Sequence, residues 1–185
     1  MASDALLRPR PARVADAAAM AWVHVSSWRS TYRGLLPDGY LDRLRESVYT
    51  ERWARMLERL ASNHGIYVAE EDGRVVGFAY GGPDRDRSRR HPGELYAIYL
   101  VEASQRRGWG RMLVEEVAAH LLAHRMRGMV VWVLRDNRRA RAFYEHMGGV
   151  LLRGRMLDFD GLSVPEVSYG WDDVTALAAR AAAAG

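Results

Sequence analysis

The sequence predicts a mixed α/β domain, with a mainly antiparallel sheet of about six to seven strands and helices on both faces. Three observations carry that expectation. Short apolar runs of strand length occupy the middle of the chain, and two of them are joined by an Asp72-Gly73 pair that marks a tight hairpin. The run from Glu94 to Val101 is apolar on both alternating faces, as a central strand requires. After a glycine turn, Leu113, Val114, Val117, Ala118, Leu121 and Leu122 recur at the spacing of an amphipathic helix.

From the N-terminus, Leu6 to Arg13 reads as a short edge strand and Asp16 as the cap of a helix running through Ala21 and Trp22 towards Ser30. Gly34, Pro37 and Gly39 break that helix. Between Tyr40 and Leu60, the residues Leu41, Leu44, Val48, Trp53, Met56, Leu57 and Leu60 form a helical stripe with one interruption. Strands follow at Gly65 to Glu70 and Arg74 to Tyr80, and the polar stretch Gly81 to Gly93 reads as a solvated, mobile hairpin loop. In the central strand Tyr96, Ile98 and Leu100 share one face, with Leu95, Ala97, Tyr99 and Val101 on the other. Arg111 to Met126 is the amphipathic helix and Met129 to Leu134 the next strand; Ala140, Phe143, Tyr144 and Met147 mark a further helical face ended by Gly148 and Gly149. Strands around Val150 to Phe159 and Val164 to Trp171 close the domain, taken as residues 1–172, and the Ala-rich tail 173–185 is either helical or frayed.

At 185 residues the chain is long enough for one domain with a sizeable core and too short for two. It has no cysteine, which excludes disulfides, zinc-thiolate sites and a Cys nucleophile. All 27 basic residues are Arg and none is Lys. The net charge of +4 is spread along the chain, and an anionic cofactor accounts for it as well as a polyanion does. Nucleic acid ranks last as a partner, because Asp84 to Arg90 is the only focal point and its acidic residues dilute the field. No run approaches the roughly 18 apolar residues of a membrane span. A cytoplasmic protein without a membrane partner is expected.

The segment Gln105-Arg106-Arg107-Gly108-Trp109-Gly110 lies between the central strand and the amphipathic helix, where a helix start presents unpaired N–H groups to an anion. Glycines at 108 and 110 allow close approach to a pyrophosphate, and Arg106, Arg107, Arg111 and the helix dipole favour its charge. In isolation such a glycine pair is better read as an ordinary strand-to-helix turn. The dinucleotide fingerprint GxGxxG is absent, and a P-loop needs the Lys that this chain lacks.

These residues resemble the GNAT superfamily of N-acetyltransferases. Its cofactor motif has Gln or Arg, two free positions, Gly, one free position, then Gly or Ala, and Gln105 to Gly110 matches each fixed position. The next strand-helix unit, with Asn137, Ala140 and the pair Phe143-Tyr144 before Gly148, is similar to the family's second signature. Trp28 to Pro37 resembles the substrate-side helix and loop of small-molecule members, and the likeness spans Leu6 to Trp171.

The resemblance implies direct transfer of the acetyl group of acetyl-CoA to a primary amine of a small molecule or peptide, without metal or covalent enzyme intermediate. It implies that Gln105, Arg106, Arg107, Gly108, Trp109, Gly110 and Arg111 hold the pyrophosphate. Ile98, Tyr99 and Leu100 would pair through their backbone with the pantetheine arm in a gap between the two middle strands, opened by a bulge that also aims an N–H at the thioester oxygen. Tyr144 is similar in position to the family's general acid, also beside the cofactor, though a packed aromatic is the alternative. Glu94 either takes the amine proton through an ordered water or is a solvated strand end. Asn137 caps its helix, touches the cofactor, or does both. Trp28 and Tyr32, four apart on one helix face, either line the acceptor pocket with Glu94 or pack the sheet. His120 and His124 lack the rest of a zinc motif and read as a solvated helix face. A homodimer is a family expectation. A CoA-binding sensor that has lost catalysis is the rival reading, and the acceptor is set by the variable helical cap and loops.

Overall fold

The computed structural model describes residues 8–183, so Leu6, Leu7 and the last two residues of the tail lie outside the described part. Strand β1 (Arg10–Pro11) and a 3₁₀ turn lead into helices α1 (Ala17–Tyr32), α2 (Asp38–Asp42) and α3 (Glu46–Glu58). Strands β2 (Gly65–Glu71), β3 (Arg74–Pro83) and β4 (Gly93–Leu100) follow, then α4 (Trp109–Ala123), β5 (Met129–Leu134), α5 (Arg138–His146), β6 (Val150–Phe159), β7 (Leu162–Trp171) and α6 (Thr175–Ala183). They form one seven-stranded sheet, ordered β1-β2-β3-β4-β5-β7-β6. Every neighbouring pair is antiparallel except β4 with β5, which is the mainly antiparallel sheet expected.

Helices cover both faces, because the strands alternate apolar side chains to each. On one face Met20, Ala21, Leu41, Tyr49 and Trp53 of α1, α2 and α3 bury Ile66, Val68 and Phe78. On the other, Leu113, Val114, Val117 and Leu121 of α4 pack with Tyr144 and Leu177 against Leu95, Met129, Val131 and Tyr169. The Ala-rich tail is helix α6, which lies against α4 and buries Leu177, Ala178 and Ala181. Among the described residues no helix is long and apolar enough to cross a membrane.

Local chemistry explains the turns. Asp72 and Gly73 both have positive φ, 49° and 74°, the geometry of a two-residue hairpin turn that matches strand twist. Asp160 and Gly161 repeat it at 52° and 77° between β6 and β7. Asp16 does stand at the N-cap position of α1, but its carboxylate does not cap the helix. Arg10 takes it at 2.8 and 2.9 Å, and it also accepts from the Arg13 N–H at 2.7 Å. The Arg10 guanidinium, more than its partial burial, sets the sign of the shift and holds the Asp16 carboxyl below its ordinary value.

Three expectations fail for physical reasons. In β4, Tyr80 pairs with Ala97 and Gly81 with Leu95, leaving Tyr96 as the extra residue of a bulge. The bulge resets the alternation, so Leu95 joins Ile98 and Leu100 on the α4 face. Tyr96 instead lies 4.7 Å from the ring of Tyr80 on the α1 and α3 face, where Tyr99 also packs. The loop from Gly81 to Gly93 is not solvated throughout: Asp84 and His91 are buried. Asp84 satisfies the loop's own backbone, accepting from the Ser88 N–H at 2.7 Å while its N–H donates to Pro92 O at 2.8 Å. His120, likewise, is half-buried with its Nδ1 3.4 Å from the Tyr67 hydroxyl, not on a solvated face.

Leu113 is fully buried at the centre of the α4 face. Leu113→Ala should lower the stability by about 3 kcal/mol. Urea unfolding followed by circular dichroism would show a lower midpoint at unchanged slope; an unchanged midpoint would contradict this packing.

Candidate functional site

The site begins where β4 parts from β5. Their parallel pairing runs only from Gly93 opposite Met129 to Leu95 opposite Val131. Beyond that β5 stays with β7 as far as Leu134, so it is β4 that diverges, at the Tyr96 bulge. The Val101 N–H bonds Val76 O on β3 at 2.9 Å. By the two-residue alternation of a strand, the backbone groups of Ile98 and Leu100 therefore face the gap. Two side chains already use the Leu100 carbonyl: Ser27 Oγ and Gln105 Nε2 each donate to it at 3.0 Å. The backbone edge of Ile98 remains for an extended ligand.

At the open end of this gap stands the start of α4. Arg106 has a φ of 60° and Gly108, its N-cap, a φ of 92°; no side-chain hydrogen bond caps the helix. Its first N–H groups are thus left for a ligand, and the dipole favours an anion there. Gly110 serves close approach: a Cβ there would sit 3.4 Å from Leu100 and from Phe143. Arg106 and Arg107 are exposed, and exposed Arg111 pairs with buried Glu115 at 3.0 Å. Gln105 is turned back onto β4, and the indole of Trp109 is buried in the core. Glu71 at the end of β2 gathers this turn, accepting from Trp109 Nε1 at 2.6 Å, Ser104 Oγ at 3.1 Å and Arg107 at 3.0 Å.

Across the gap, α5 supplies Asn137 and Tyr144. Asn137 caps α5, its Oδ1 accepting from the Ala140 N–H at 3.1 Å. Tyr144 is buried among Phe143, Tyr169 and Trp171. Burial pushes its hydroxyl above the ordinary phenol value, with the neighbouring Tyr99 adding to the effect. Tyr99 is raised by burial and then by Tyr32, and Tyr32 by burial and then by Tyr144. Phenols from α1, β4 and α5 therefore lie within electrostatic reach of one another where the strands part.

On the α1 side Trp28 and Tyr32 are half-buried with ring centroids 5.0 Å apart, and both pack against the α1 core. Trp28 also meets Tyr99 at 6.4 Å, Tyr40 at 6.2 Å and Phe159 at 6.0 Å. Phe159, at the tip of the β6-β7 hairpin, is brought over α2 by an Arg43–Asp160 pair at 3.3 Å. Glu94 is 1% exposed, two residues before the bulge, and so is not a solvated strand end. Arg85 binds both of its oxygens, through its N–H and Nε at 3.0 Å and through a second guanidinium nitrogen.

A strand gap opening on an uncapped, glycine-started helix is one end of the comparison with known proteins. The model of the acetyltransferase (GNAT) family matches residues 25–149. The chain belongs to that family. It is 37% identical over 169 residues to an uncharacterized N-acetyltransferase, YuaI, of Bacillus subtilis, covering 91% of this chain and 94% of that one. It is 30% identical over 171 residues to a probable N-acetyltransferase of Mycobacterium tuberculosis, covering 88% and 92%. In fold it is similar to the PaiA N-acetyltransferase of Thermoplasma acidophilum in complex with coenzyme A, with a TM-score of 0.69 at 20% identity, over 89% of this chain and 98% of that one. The protein is an acetyl-CoA-dependent acetyltransferase. Its residues fit that co-substrate: the free helix start suits a pyrophosphate and the strand edge an amide-bearing arm.

Several site residues escaped the sequence. Arg85 is one Arg among several in a polar loop, and nothing in its spacing marks it as the partner of Glu94. Glu71 and Tyr40 carry no motif either. Phe159 had a signal, since an aromatic residue directly precedes the Asp160-Gly161 turn.

Gly108 needs its positive φ, so an added side chain strains the turn by about 1 kcal/mol. Gly108→Ala should weaken coenzyme A binding by roughly fivefold in a calorimetric titration. Unchanged affinity would detach this turn from the cofactor.

Proposed function

We propose that the protein acetylates a primary amine of a small molecule or peptide directly, with Tyr144 as general acid and Glu94 as general base. The observation that carries this reading is a buried Tyr144 within electrostatic reach of Tyr99, on the same strand as the buried Glu94, where that strand leaves β5. Acetyl-CoA, when bound, supplies an activated acetyl thioester. The amine nitrogen forms the new bond to the acetyl carbon as the carbon–sulfur bond breaks. Tyr144 gives its proton to the departing sulfur, and Glu94 accepts the amine proton through a water. The proton taken up on the Glu94 side returns through solvent to the phenolate, so the products are an amide and a free thiol.

The raised Tyr144 pKa suits this role. Burial disfavours both phenolate and thiolate, so it moves acid and leaving group in the same direction and keeps them matched. Glu94 is held by Arg85, whose side chain is 62% exposed and so reaches water. An incoming ammonium replaces that positive charge beside the carboxylate, which spares Glu94 an unpaired state. Trp28, Tyr32, Tyr40 and Phe159 line the approach, Asn137 orients α5 beside the cofactor, and the exposed Arg106 and Arg107 meet its phosphates. A cytoplasmic setting belongs to this reading.

Thiol release from acetyl-CoA, measured against a panel of amines, tests it. Tyr144→Phe should reduce kcat about 100-fold while the KM for acetyl-CoA stays within about twofold. Because the phenol must be protonated and its pKa is raised, kcat should show no falling limb from Tyr144 up to pH 10. A protein that binds acetyl-CoA, turns over no amine and ignores Tyr144→Phe would be a sensor instead.

A further inference from the structure

The outer face of α3 carries a concentration of positive charge that neither the cofactor nor the fold uses. Arg52, Arg55 and Arg59 are spaced three and four apart and so share one side of the helix. Together with Met56, His64 and Tyr80 they line a shallow, open cleft of about 430 Å³. A second cavity of about 390 Å³ lies on the other side of Arg52, lined by Tyr40, Arg45, Tyr49 and the Arg43–Asp160 pair. Among the described residues, the ion pair that the three α3 arginines make is Arg55 with Glu51, at 3.9 Å between two exposed side chains. Such a pair neutralises little. Arg59, at the helix C-cap, complements the helix dipole, but Arg52 in mid-helix has no such role.

This basic wall is close to the reaction centre. Tyr80 and His64 pack on Tyr96, the bulge residue of β4, at 4.7 and 5.9 Å. The same ring lies 5.2 Å from the guanidinium of Arg85, which holds Glu94. Arg52 rests over Tyr49, whose ring meets His24 at 4.1 Å, and His24 in turn meets Tyr99 at 4.9 Å. Burial holds His24 down at about 3, with the charge of Arg52 contributing, so that charge is felt one ring away from β4.

We propose that the acceptor is an amine that also carries an anionic oxygen group, a phosphate or carboxylate, seated on Arg52, Arg55 and Arg59 beside His64 and Tyr80. The assignment rests on the acetyl-transfer reading of the neighbouring centre. Guanidinium groups grip such oxygens through paired N–H donors, and a concave site between helix and sheet admits a small molecule. The same wall repels polycationic amines.

Two measurements decide it. Inorganic phosphate is titrated calorimetrically, at constant ionic strength, into the full chain and into Arg52→Gln and Arg59→Gln, each first shown to be folded by circular dichroism. Wild type should bind, and each variant at least about fivefold more weakly. Thiol release is then compared for phosphoethanolamine and β-alanine against ethanolamine and putrescine. The anionic amines should show kcat/KM at least about tenfold higher, and Arg52→Gln should reduce that value more for them than for ethanolamine. The preferred member of the first pair distinguishes phosphate from carboxylate. Preference for ethanolamine or putrescine, or phosphate binding that is absent or equal in the variants, would overturn the proposal and leave acetyl transfer standing. If no amine is turned over while acetyl-CoA binds, acetyl transfer fails instead, and the phosphate titration alone decides the anion site.

Discussion

The structure turns on a broken partnership in the middle of its sheet. β4 and β5 form its one parallel pair, and they hold together for only three residue pairs before the bulge at Tyr96 carries β4 away. An unpaired strand edge inside a domain is costly, because each buried N–H or C=O without a partner forfeits a hydrogen bond. The fold offsets part of that cost itself, by sending Ser27 Oγ and Gln105 Nε2 to the Leu100 carbonyl. What is left unpaired is a strand-shaped vacancy, and the cofactor of this family brings amide groups of its own.

Around that vacancy the charge is sorted by position. The α4 start, with its free N–H groups and exposed arginines, is built for an anion. The lining where the strands part is aromatic, and burial lifts the phenols of Tyr32, Tyr99 and Tyr144 above their solution values. On the other side of the bulge the buried carboxylate of Glu94 is paired with Arg85. The free helix start, the buried phenol of Tyr144 on α5 and the buried carboxylate of Glu94 on β4 thus occupy different places around the diverging strand.

Much of this was legible from the sequence alone. Periodicity located the helices and strands because each buries one face, and Asp72-Gly73 located a turn because few other pairs adopt two positive φ values. The glycine turn and the Asn137 to Tyr144 unit pointed to the same donor. The bulge was not legible: Tyr96 looks like any alternating residue, and only pairing with Tyr80 and Gly81 shows that it is supernumerary. The Arg85–Glu94 pair was hidden for a similar reason. Its geometry depends on how the loop folds back through Asp84, which no local spacing encodes. Trp109 puts its side chain into the core, so at this motif position what is left for a ligand is the backbone N–H at the start of α4.

The Glu71 carboxylate has a reach that its address in the chain conceals. It sits at the end of β2, 33 to 38 residues ahead of the Ser104 and Trp109 groups it holds. The cofactor turn is therefore moored to a hairpin, and the mooring has a parity. A one-residue slip of β2 against β3 would turn Glu71 to the opposite face of the sheet. The glycine motif would be intact in every letter, yet it would have lost its anchor, so a lesion in the hairpin would present as a cofactor defect.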